Sequence, residues 1–360
     1  MTTAFPTRLR RLRDWLATDA QGADAFLVTS PVNVRYLTGF TGSNASLLVT
    51  AADVTLATDS RYVVQASQQC PAVPLLVTRD GPVALVAAAT DQGVERLAFE
   101  AGHVTVAGYA ALPRTGPVLV PTTDVVEELR IVKDYEEIAA LRHACRITDE
   151  ALGRLLPQLR AGLTERAIAR RLEWLLNECG ADGPSFDTIV AAGPNSAVPH
   201  HRPTDRAVQP GDLLKIDFGA LLDGYHADET RTFVVGAPAR PWQQELHDLV
   251  AAAQEAGRAA LAAGADVATV DAAARQVIAA AGHADHFGHG LGHGVGLQIH
   301  EAPLLARGVP GSLCDRTLVT IEPGVYLPGR GGVRIEDTLL VTGPGSESLT
   351  ASPRDLLVLG

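Results

Sequence analysis

Two acidic residues lie within apolar segments of the sequence, where a charged side chain is costly to bury. Asp217 lies in LLKIDFG and Glu322 in LVTIEPG. Desolvating a lone carboxylate costs several kcal/mol, so each needs a partner or a raised pKa. Asp228 follows Asp217 by eleven residues and Glu336 follows Glu322 by fourteen, which suits the return strand of a hairpin. We therefore expect these four carboxylates to face one centre.

Four carboxylates at one centre repel each other strongly in a low-dielectric interior. The basic residues of the same segments, Lys215 and Arg334, are too few to neutralise them, so bound metal is the better explanation. Two divalent cations balance four negative charges, and His293 is the natural fifth ligand because a neutral imidazole adds no charge. Four oxygens and one nitrogen suit manganese, which we expect first, or cobalt or zinc.

The stretch HFGHGLGHGVGLQIHE, residues 286–301, holds four histidines and five glycines. On its own such a stretch is more often a loop than a set of ligands. Glycine at alternate positions excludes a helix, so His289 and His293 are not a helical metal-binding pair. In an extended strand both side chains point to one face, and the glycines let the backbone approach the metals closely. Four other histidines are expected to be structural or to lie behind the ligands as neighbours of the site: His201, His226, His283 and His286.

An internal repeat with an offset of about one hundred residues organises the segments that carry these side chains. Residues 161–180 and 263–282 have equal length, and each has a glycine, a capping residue, an amphipathic helix and a final glycine. Downstream, LLKIDFG parallels LVTIEPG, HADETRT parallels RIEDTLL, and His200 parallels His300. Four motifs in the same order predict a pseudo-twofold domain with a site between its halves.

The first 130 residues have the alternating helix and strand pattern of an α/β domain. Helical spacing covers residues 9–15, and short buried strands are predicted at 25–29, 46–50, 54–58, 74–78 and 94–100. No catalytic cluster stands out in this region. Asp134 and Glu137 form a capping box at the start of a new helix. We therefore predict domains at residues 1–130 and 131–360.

Composition excludes several classes of function. The net charge of −11 argues against nucleic acid as a partner, because a phosphate-binding face needs a basic excess. No segment approaches the ~20 apolar residues that span a bilayer, so we expect no membrane partner. The four cysteines are scattered, and the arginines near the start are not followed by an apolar segment. Both features favour a cytoplasmic protein.

The sequence resembles the metallopeptidase family of prolidase, aminopeptidase P and methionine aminopeptidase. The matching motifs, all between residues 185 and 338, are SFDTIVAAGPNSAVPHH, IDFGALLDGYHADETRT, HGLGHGVGLQIHEAP, TIEPGVY and GGVRIEDT. The resemblance implies the five metal ligands Asp217, Asp228, His293, Glu322 and Glu336. It further implies that His200, His289 and His300 bind substrate or intermediate, and that Arg334 supports the site.

The same resemblance implies a fold and a branch of the family. The expected fold is an α/β chain with a ribonuclease-H-like first domain and a pita-bread α+β catalytic domain. A preceding domain of this size is similar to that of the Xaa-Pro peptidases, and TGFTGSNA and TDSRYVVQA look like small bacterial aminopeptidase P sequences. The expected function is an Xaa-Pro aminopeptidase, with the dipeptide-specific prolidase as the alternative. A homodimer is the usual state in this family.

The expected reaction is hydrolysis of a peptide with proline at P1′. Glu322 is the candidate proton shuttle, taking a proton from the attacking water and giving it to the leaving proline nitrogen. His200 and His300 would hydrogen-bond the developing oxyanion or the substrate carbonyls. Proline has no amide N–H, so a shallow apolar pocket is expected to select its ring.

Overall fold

The computed structural model describes residues 4–360, and the chain forms two compact units, Met1–Arg130 and Ile131–Gly360. The elements of the first unit are α1 (Ala4–Thr18), β1 (Ala25–Val28), α2 (Pro31–Thr38), β2 (Ala45–Thr50), β3 (Val54–Thr58), α3 (Val63–Gln69), β4 (Leu75–Val77), α4 (Gly81–Asp91), β5 (Arg96–Glu100), α5 (Val106–Ala111), β6 (Val118–Thr122) and α6 (Val125–Ile131).

The strands of the first unit form one mixed sheet in the order β4-β3-β2-β1-β5-β6. The central strand β1 is buried at every position, as expected for a strand covered on both faces. Leu27, Leu48 and Leu97 of the sheet pack with Leu85 of α4 in the core of this unit. The predicted helix and the five predicted strands are confirmed. Strand β6 was not predicted; it lies at the sheet edge and contains Pro121, which weakens a strand pattern.

The second unit contains most of the strands. Its elements are α7 (Tyr135–Leu155), α8 (Glu165–Glu178), β7 (Gly183–Pro184), β8 (Ile189–Ala192), β9 (Asp212–Phe218), β10 (Ala220–Leu222), β11 (Tyr225–His226), β12 (Glu229–Val235), α9 (Pro241–Ala259), α10 (Val267–Ala280), β13 (Gly292–Gly294), β14 (Glu301–Leu305), β15 (Leu318–Ile321), β16 (Gly324–Leu327), β17 (Gly331–Arg334), β18 (Asp337–Thr342), β19 (Gly345–Ser348) and β20 (Val358–Leu359).

Two larger sheets of the second unit correspond to the two halves of the repeat. One has the order β20-β12-β9-β8 and the other β14-β13-β15-β18-β19. Apolar residues of α7 and α8 pack with β8, β9 and β12, whereas those of α9 and α10 pack mainly with the second sheet. Two smaller sheets, β11-β10-β7 and β16-β17, complete the unit.

The predicted helix signals of the second unit are confirmed. Asp134 and Glu137 form the capping box of α7. Thr164 caps α8 by accepting from the Ala167 N–H, and Asp266 caps α10 by accepting from the Thr269 N–H. The final glycines of the repeat, Gly180 and Gly282, have φ of 101° and 82°. Only glycine takes this conformation at little cost, so each helix ends where the repeat predicts.

Both predicted hairpins are present, and a bridge between them joins the two halves. Strand β9 pairs antiparallel with β12, and β15 pairs antiparallel with β18. Thr230 of β12 forms an isolated bridge with Glu336, and the Glu336 N–H donates to the Thr230 carbonyl at 3.1 Å. The bridge brings the carboxylate-bearing ends of both hairpins to one place.

The predicted extended strand over residues 286–301 is only partly formed. Regular pairing is confined to β13 and the start of β14, with a bulge between His293 and Gly294. The Gly296 N–H donates to the Gln298 carbonyl, which turns the chain before β14. The glycines permit this path because a Cβ on Gly292 would lie 1.9 Å from the Thr320 carbonyl oxygen. Among residues 4–360, no helix combines the length and apolar character needed to cross a membrane.

Candidate metal centre

Five strand ends and loops deliver the predicted ligands to one buried position. Asp217 is the penultimate residue of β9, and Asp228 directly precedes β12. Glu322 directly follows β15, Glu336 lies between β17 and β18, and His293 is the middle residue of β13. All five line one cavity of about 360 Å³.

The His293 imidazole has a defined tautomer that directs a lone pair toward the carboxylates. Its Nδ1 lies 3.0 Å from the Gly294 carbonyl oxygen, which only accepts, so Nδ1–H donates. Its Nε2 then lies 3.6 Å from Asp228 Oδ2 and 3.5 Å from Glu322 Oε1. Ligand atoms bound to one cation at about 2.1 Å are separated by about 3.0–3.5 Å, so this spacing suits a shared ion.

Burial and mutual repulsion dominate the electrostatics of the carboxylates. Burial, followed by the charges of Glu336 and Asp217, raises the pKa of Asp228 well above its usual range. Burial, followed by the charges of Glu322 and Asp217, does the same to the pKa of Glu336. Burial raises the pKa of Glu322 to about 8 and lowers that of His293 to about 4. Without cations, the site therefore favours the uncharged forms of Asp228, Glu322, Glu336 and His293.

The donor set fits divalent cations. Within residues 4–360, the buried oxygens Asp217 Oδ1 and Asp228 Oδ1 have no hydrogen-bond donor. Ligand atoms of Asp228, His293 and Glu336 all lie within 4.8 Å of one another. Buried carboxylate oxygens without donors are costly unless a cation binds them. The hard oxygen donors and one imidazole suit manganese, cobalt or zinc.

One side of the carboxylate cluster is held by Arg334. Its Nη2 donates to Asp217 Oδ2 and its Nε donates to Thr230 Oγ1 at 3.1 Å. Thr230 Oγ1–H in turn donates to Glu336 Oε2 at 2.6 Å. Burial acts to lower the pKa of Arg334, but Tyr326 and the surrounding carboxylates outweigh this effect and raise the pKa well above its usual range. Arg334 therefore orients one carboxylate from each half of the repeat.

His289 lies beside this arginine and not among the residues that line the cavity. Its Nδ1–H donates to the Gly290 carbonyl at 2.8 Å, and its Nε2 accepts from the Tyr326 hydroxyl at 2.9 Å. The Arg334 Nη1–H donates to the same hydroxyl at 2.8 Å. Both ring nitrogens of His289 therefore have partners in this structure, and its expected contact with substrate stays a prediction.

His200 and His300 line the cavity together with the five predicted ligands. The His300 ring packs edge-on against the His293 ring, with centroids 4.4 Å apart. Burial, followed by the charge of nearby His200, lowers the pKa of His300. A neutral imidazole at this position is a hydrogen-bond donor to an uncharged carbonyl or to a developing oxyanion.

The segment that carries His200 is held from both sides. The Glu165 carboxylate, at the start of α8, accepts from Ala192 N–H at 2.8 Å and from Thr204 N–H at 3.0 Å, and lies 2.9 Å from His201 Nε2. On the other side, Lys215 Nζ donates to the carbonyls of Val198 and Pro199 at 2.8 and 3.1 Å. His201, expected to be structural or a neighbour of the site, also lines the cavity.

Several side chains of the site were missed in the sequence. Tyr326 lies in the quoted motif TIEPGVY and Thr230 in HADETRT, yet neither type is a usual ligand for these cations. Glu165 follows a capping residue, where a glutamate is ordinarily read as a favourable charge at a helix N-terminus. Their roles depend on contacts distant in sequence, so no local signal reveals them.

Comparison with known proteins identifies the family to which this chain belongs. Residues 139–343 match metallopeptidase family M24, and residues 8–132 match the creatinase/prolidase N-terminal domain. The chain belongs to family M24. It is therefore a metallopeptidase, and its two-domain fold with a pita-bread catalytic domain is confirmed.

The similar proteins lie in the Xaa-Pro branch of this family. An Xaa-Pro dipeptidase of Pyrococcus furiosus is 43% identical over 65% of this chain and 67% of its own length. The structure of an Xaa-Pro dipeptidase from Bacillus anthracis has a TM-score of 0.94 and 36% identity, covering 99% of this chain and 100% of the other. An X-Pro aminopeptidase from Thermotoga maritima has a TM-score of 0.90 and 35% identity, covering 98% and 99%.

Proposed function

We propose that this metallopeptidase is a dinuclear Xaa-Pro dipeptidase, a prolidase. The observation that carries the proposal is the buried five-donor set opening into the cavity lined by His200 and His300. The dipeptidase relatives favour this alternative over the aminopeptidase expected from the sequence. The cavity volume of about 360 Å³ is near the lower end of the usual 300–1,000 Å³ for ligand pockets, which suits a short substrate.

The proposed ligands are Asp217, Asp228, His293, Glu322 and Glu336. Two divalent cations, with manganese expected and cobalt or zinc as alternatives, would polarise the scissile carbonyl and lower the pKa of a bound water. Glu322 would take a proton at its carboxylate and pass it to the proline nitrogen, so that a neutral amine leaves. His200 and His300 would donate hydrogen bonds to the substrate carbonyl oxygen as negative charge develops on it.

The preference for proline at P1′ has a physical basis in the cavity wall. Phe186, Ile189, Pro203 and Ile299 give the wall apolar patches beside the polar centre. The pyrrolidine ring buries apolar surface there. A proline peptide also lacks the N–H that general peptidases bind.

The test compares Ala-Pro, Ala-Pro-Ala and Ala-Ala as substrates of the manganese-loaded protein. A prolidase hydrolyses Ala-Pro, leaves Ala-Ala essentially intact and cleaves Ala-Pro-Ala at least about tenfold more slowly, a difference of about 1.4 kcal/mol in transition-state binding. Equal or faster cleavage of Ala-Pro-Ala would instead make the protein an aminopeptidase P, the candidate favoured by its similarity to the Thermotoga maritima enzyme.

Metal identity and assembly are tested separately. Chelation followed by addition of manganese, cobalt, zinc or magnesium, with the metal content measured, ranks the ions by activity and stoichiometry. We expect two ions per chain and the highest rate with manganese. A homodimer is also proposed, and light scattering during size-exclusion chromatography should give the mass of two chains.

A further inference from the structure

A guanidinium on α10 holds the glycine-rich segment that carries His289. Arg275 pairs with Asp271, one turn earlier on the same helix: its Nε donates to Asp271 Oδ2 at 2.8 Å and its Nη2 to Asp271 Oδ1 at 2.6 Å. The Arg275 side chain is 13% exposed and that of Asp271 is 1% exposed. This bidentate geometry fixes the plane of the guanidinium.

The remaining donors of the same guanidinium bind the main chain of the segment. Arg275 Nη1 donates to the Phe287 carbonyl at 3.0 Å, and Nη2 donates to the His289 carbonyl at 2.8 Å. A lysine ammonium has three donors and no planar fork, so it cannot reproduce all four bonds.

The guanidinium also fixes an aromatic ring beside the imidazole. It lies over the Phe287 ring, 4.1 Å from the centroid. The Phe287 ring packs edge-on against the His289 ring, with centroids 5.0 Å apart and an interplanar angle of 85°. Arg275 therefore acts on His289 through both its backbone and its neighbouring side chain.

The segment requires such a restraint because of its composition. Gly288 and Gly290 flank His289, and glycine loses more conformational freedom on ordering than any other residue. A Cβ on Gly288 would meet nothing within 4 Å, so no neighbouring atom packs against that position. Strand β13 begins only at Gly292. The contacts of Arg275 restrain the part of the segment that precedes the strand.

The position of His289 matters because of what it contacts. Its Nε2 accepts from Tyr326, Tyr326 accepts from Arg334, and Arg334 donates to Asp217. We propose that Arg275, oriented by Asp271, is a positioning residue for the peptidase: it holds His289 in contact with Tyr326 and, through Arg334, sets the orientation of the Asp217 carboxylate. The kinetic part of the proposal rests on the proposed function, whereas the structural part does not.

The first test measures kinetics of the manganese-loaded protein with Ala-Pro. R275K should lower kcat by about tenfold or more with little change in KM, because His289 lies behind the ligands and not in the cavity. In an H289A background the same substitution should change kcat less than about twofold, since coupled residues are non-additive. R171K is the matched control. Arg171 lies on α8, its guanidinium is 4.1 Å from the centroid of the Trp174 ring, and its Nε donates to Gln158. It does not line the cavity.

The second test does not depend on activity. In protein labelled at histidine Cε1, the NMR signal missing from H289A identifies His289. R275K should shift or broaden that signal beyond the others, and R171K should leave it unchanged. D271N, which keeps the arginine but removes its orienting carboxylate, should act in the same direction and serves if R275K folds poorly.

The outcomes separate the two proposals. An unchanged His289 signal in both R275K and D271N, or an equal loss of kcat with and without His289, would overturn the positioning role. Absence of any Xaa-Pro cleavage by the wild-type protein would overturn the proposed function, while the histidine spectra would still decide the role of Arg275.

Discussion

Glu322 differs from the other ligands in its access to the cavity. Its side chain is 17% exposed, against 10% for Asp217 and 6% for Asp228. Burial raises its pKa to about 8 in the metal-free site, and bound cations would favour the ionised carboxylate that can accept a proton. A carboxylate that is both a proposed ligand and the one most open to substrate is the best placed to move a proton.

The Glu322→Gln variant tests this assignment. A glutamine keeps the shape and one oxygen but cannot take a proton, so kcat on Ala-Pro should fall by about 10²–10⁴-fold. Metal content, measured on the same samples, separates loss of proton transfer from loss of metal. Glu245→Gln, on the exposed face of α9, is the control and should retain the wild-type rate. Normal turnover by the Glu322 variant after metal reloading would exclude the shuttle.

The raised pKa of Glu322 also predicts how the metal-free protein responds to pH. The pKa of about 8 in the folded protein is above the ordinary value of 4.5, so the folded state holds this proton more tightly than the unfolded chain. The resulting stabilisation is complete below about pH 4.5 and is lost as the pH rises through about 8. Asp228 and Glu336, whose pKa values are also raised, act in the same direction.

Thermal unfolding in the presence of a chelator measures this effect. The melting temperature of the metal-free protein should fall by at least about 4 °C between pH 5 and pH 8.5. Protein saturated with manganese should lack this loss, because the cations then balance the ionised carboxylates. A metal-free melting temperature that rises over this interval would contradict the predicted protonation of the cluster.

At the scale of elements, the glycines of β13 have a role that differs from that of their neighbours. A Cβ on Gly292 would lie 1.9 Å from the Thr320 carbonyl oxygen, and one on Gly294 would lie 2.2 Å from the Ala302 carbonyl oxygen. These strands therefore approach more closely than any side chain permits. Gly288, by contrast, faces open space. The close approach places His293 at the depth of the carboxylates.

Alanine substitutions distinguish the two kinds of glycine. Gly292→Ala should destabilise the protein by about 3 kcal/mol or more, because backbone must shift to relieve the overlap. Its metal content should also fall, since His293 is the next residue. Gly288→Ala should change stability by less than about 1 kcal/mol. Denaturant unfolding and elemental analysis provide both measurements, and equal behaviour of the two variants would contradict the close-approach argument.

The same strand shows where prediction from sequence succeeds and where it ends. The hairpins around Asp217 and Glu322 follow from apolar runs of the right length, and the repeat relates the two. The bulge at His293 cannot be predicted from the sequence, because it depends on the distance between β13 and the neighbouring strands, which no local pattern encodes. Likewise Tyr326 and Arg275 contact the His289 segment through hydrogen bonds that exist only in the folded chain, so their types alone carry no signal.

At the scale of the whole molecule, each half of the repeat contributes the same number of carboxylates to the candidate metal centre. Asp217 and Asp228 come from the first half, and Glu322 and Glu336 from the second. The Thr230–Glu336 bridge is a main-chain contact between these halves, next to the carboxylates. At a pH high enough to ionise the carboxylates, removal of the cations leaves them repelling one another across that boundary.

Hydrogen exchange should therefore report metal removal at this bridge. Chelation at pH 8 should speed exchange of the Glu336 N–H, which donates to Thr230, by about tenfold or more, since each tenfold change corresponds to about 1.4 kcal/mol of opening free energy. Peptides covering β1, in the first unit, should exchange at an unchanged rate and provide the internal control. Equal exchange at the bridge with and without metal would show that the cations do not stabilise this boundary.

The division of the ligands has one more consequence. Because each half of the repeat contributes two acids, bound ions join segments that lie about one hundred residues apart in the chain. They therefore act as a reversible cross-link, comparable in effect to a disulfide that closes a long loop. Loss of the ions would then lower the cooperativity with which the two halves unfold, as well as the catalytic rate.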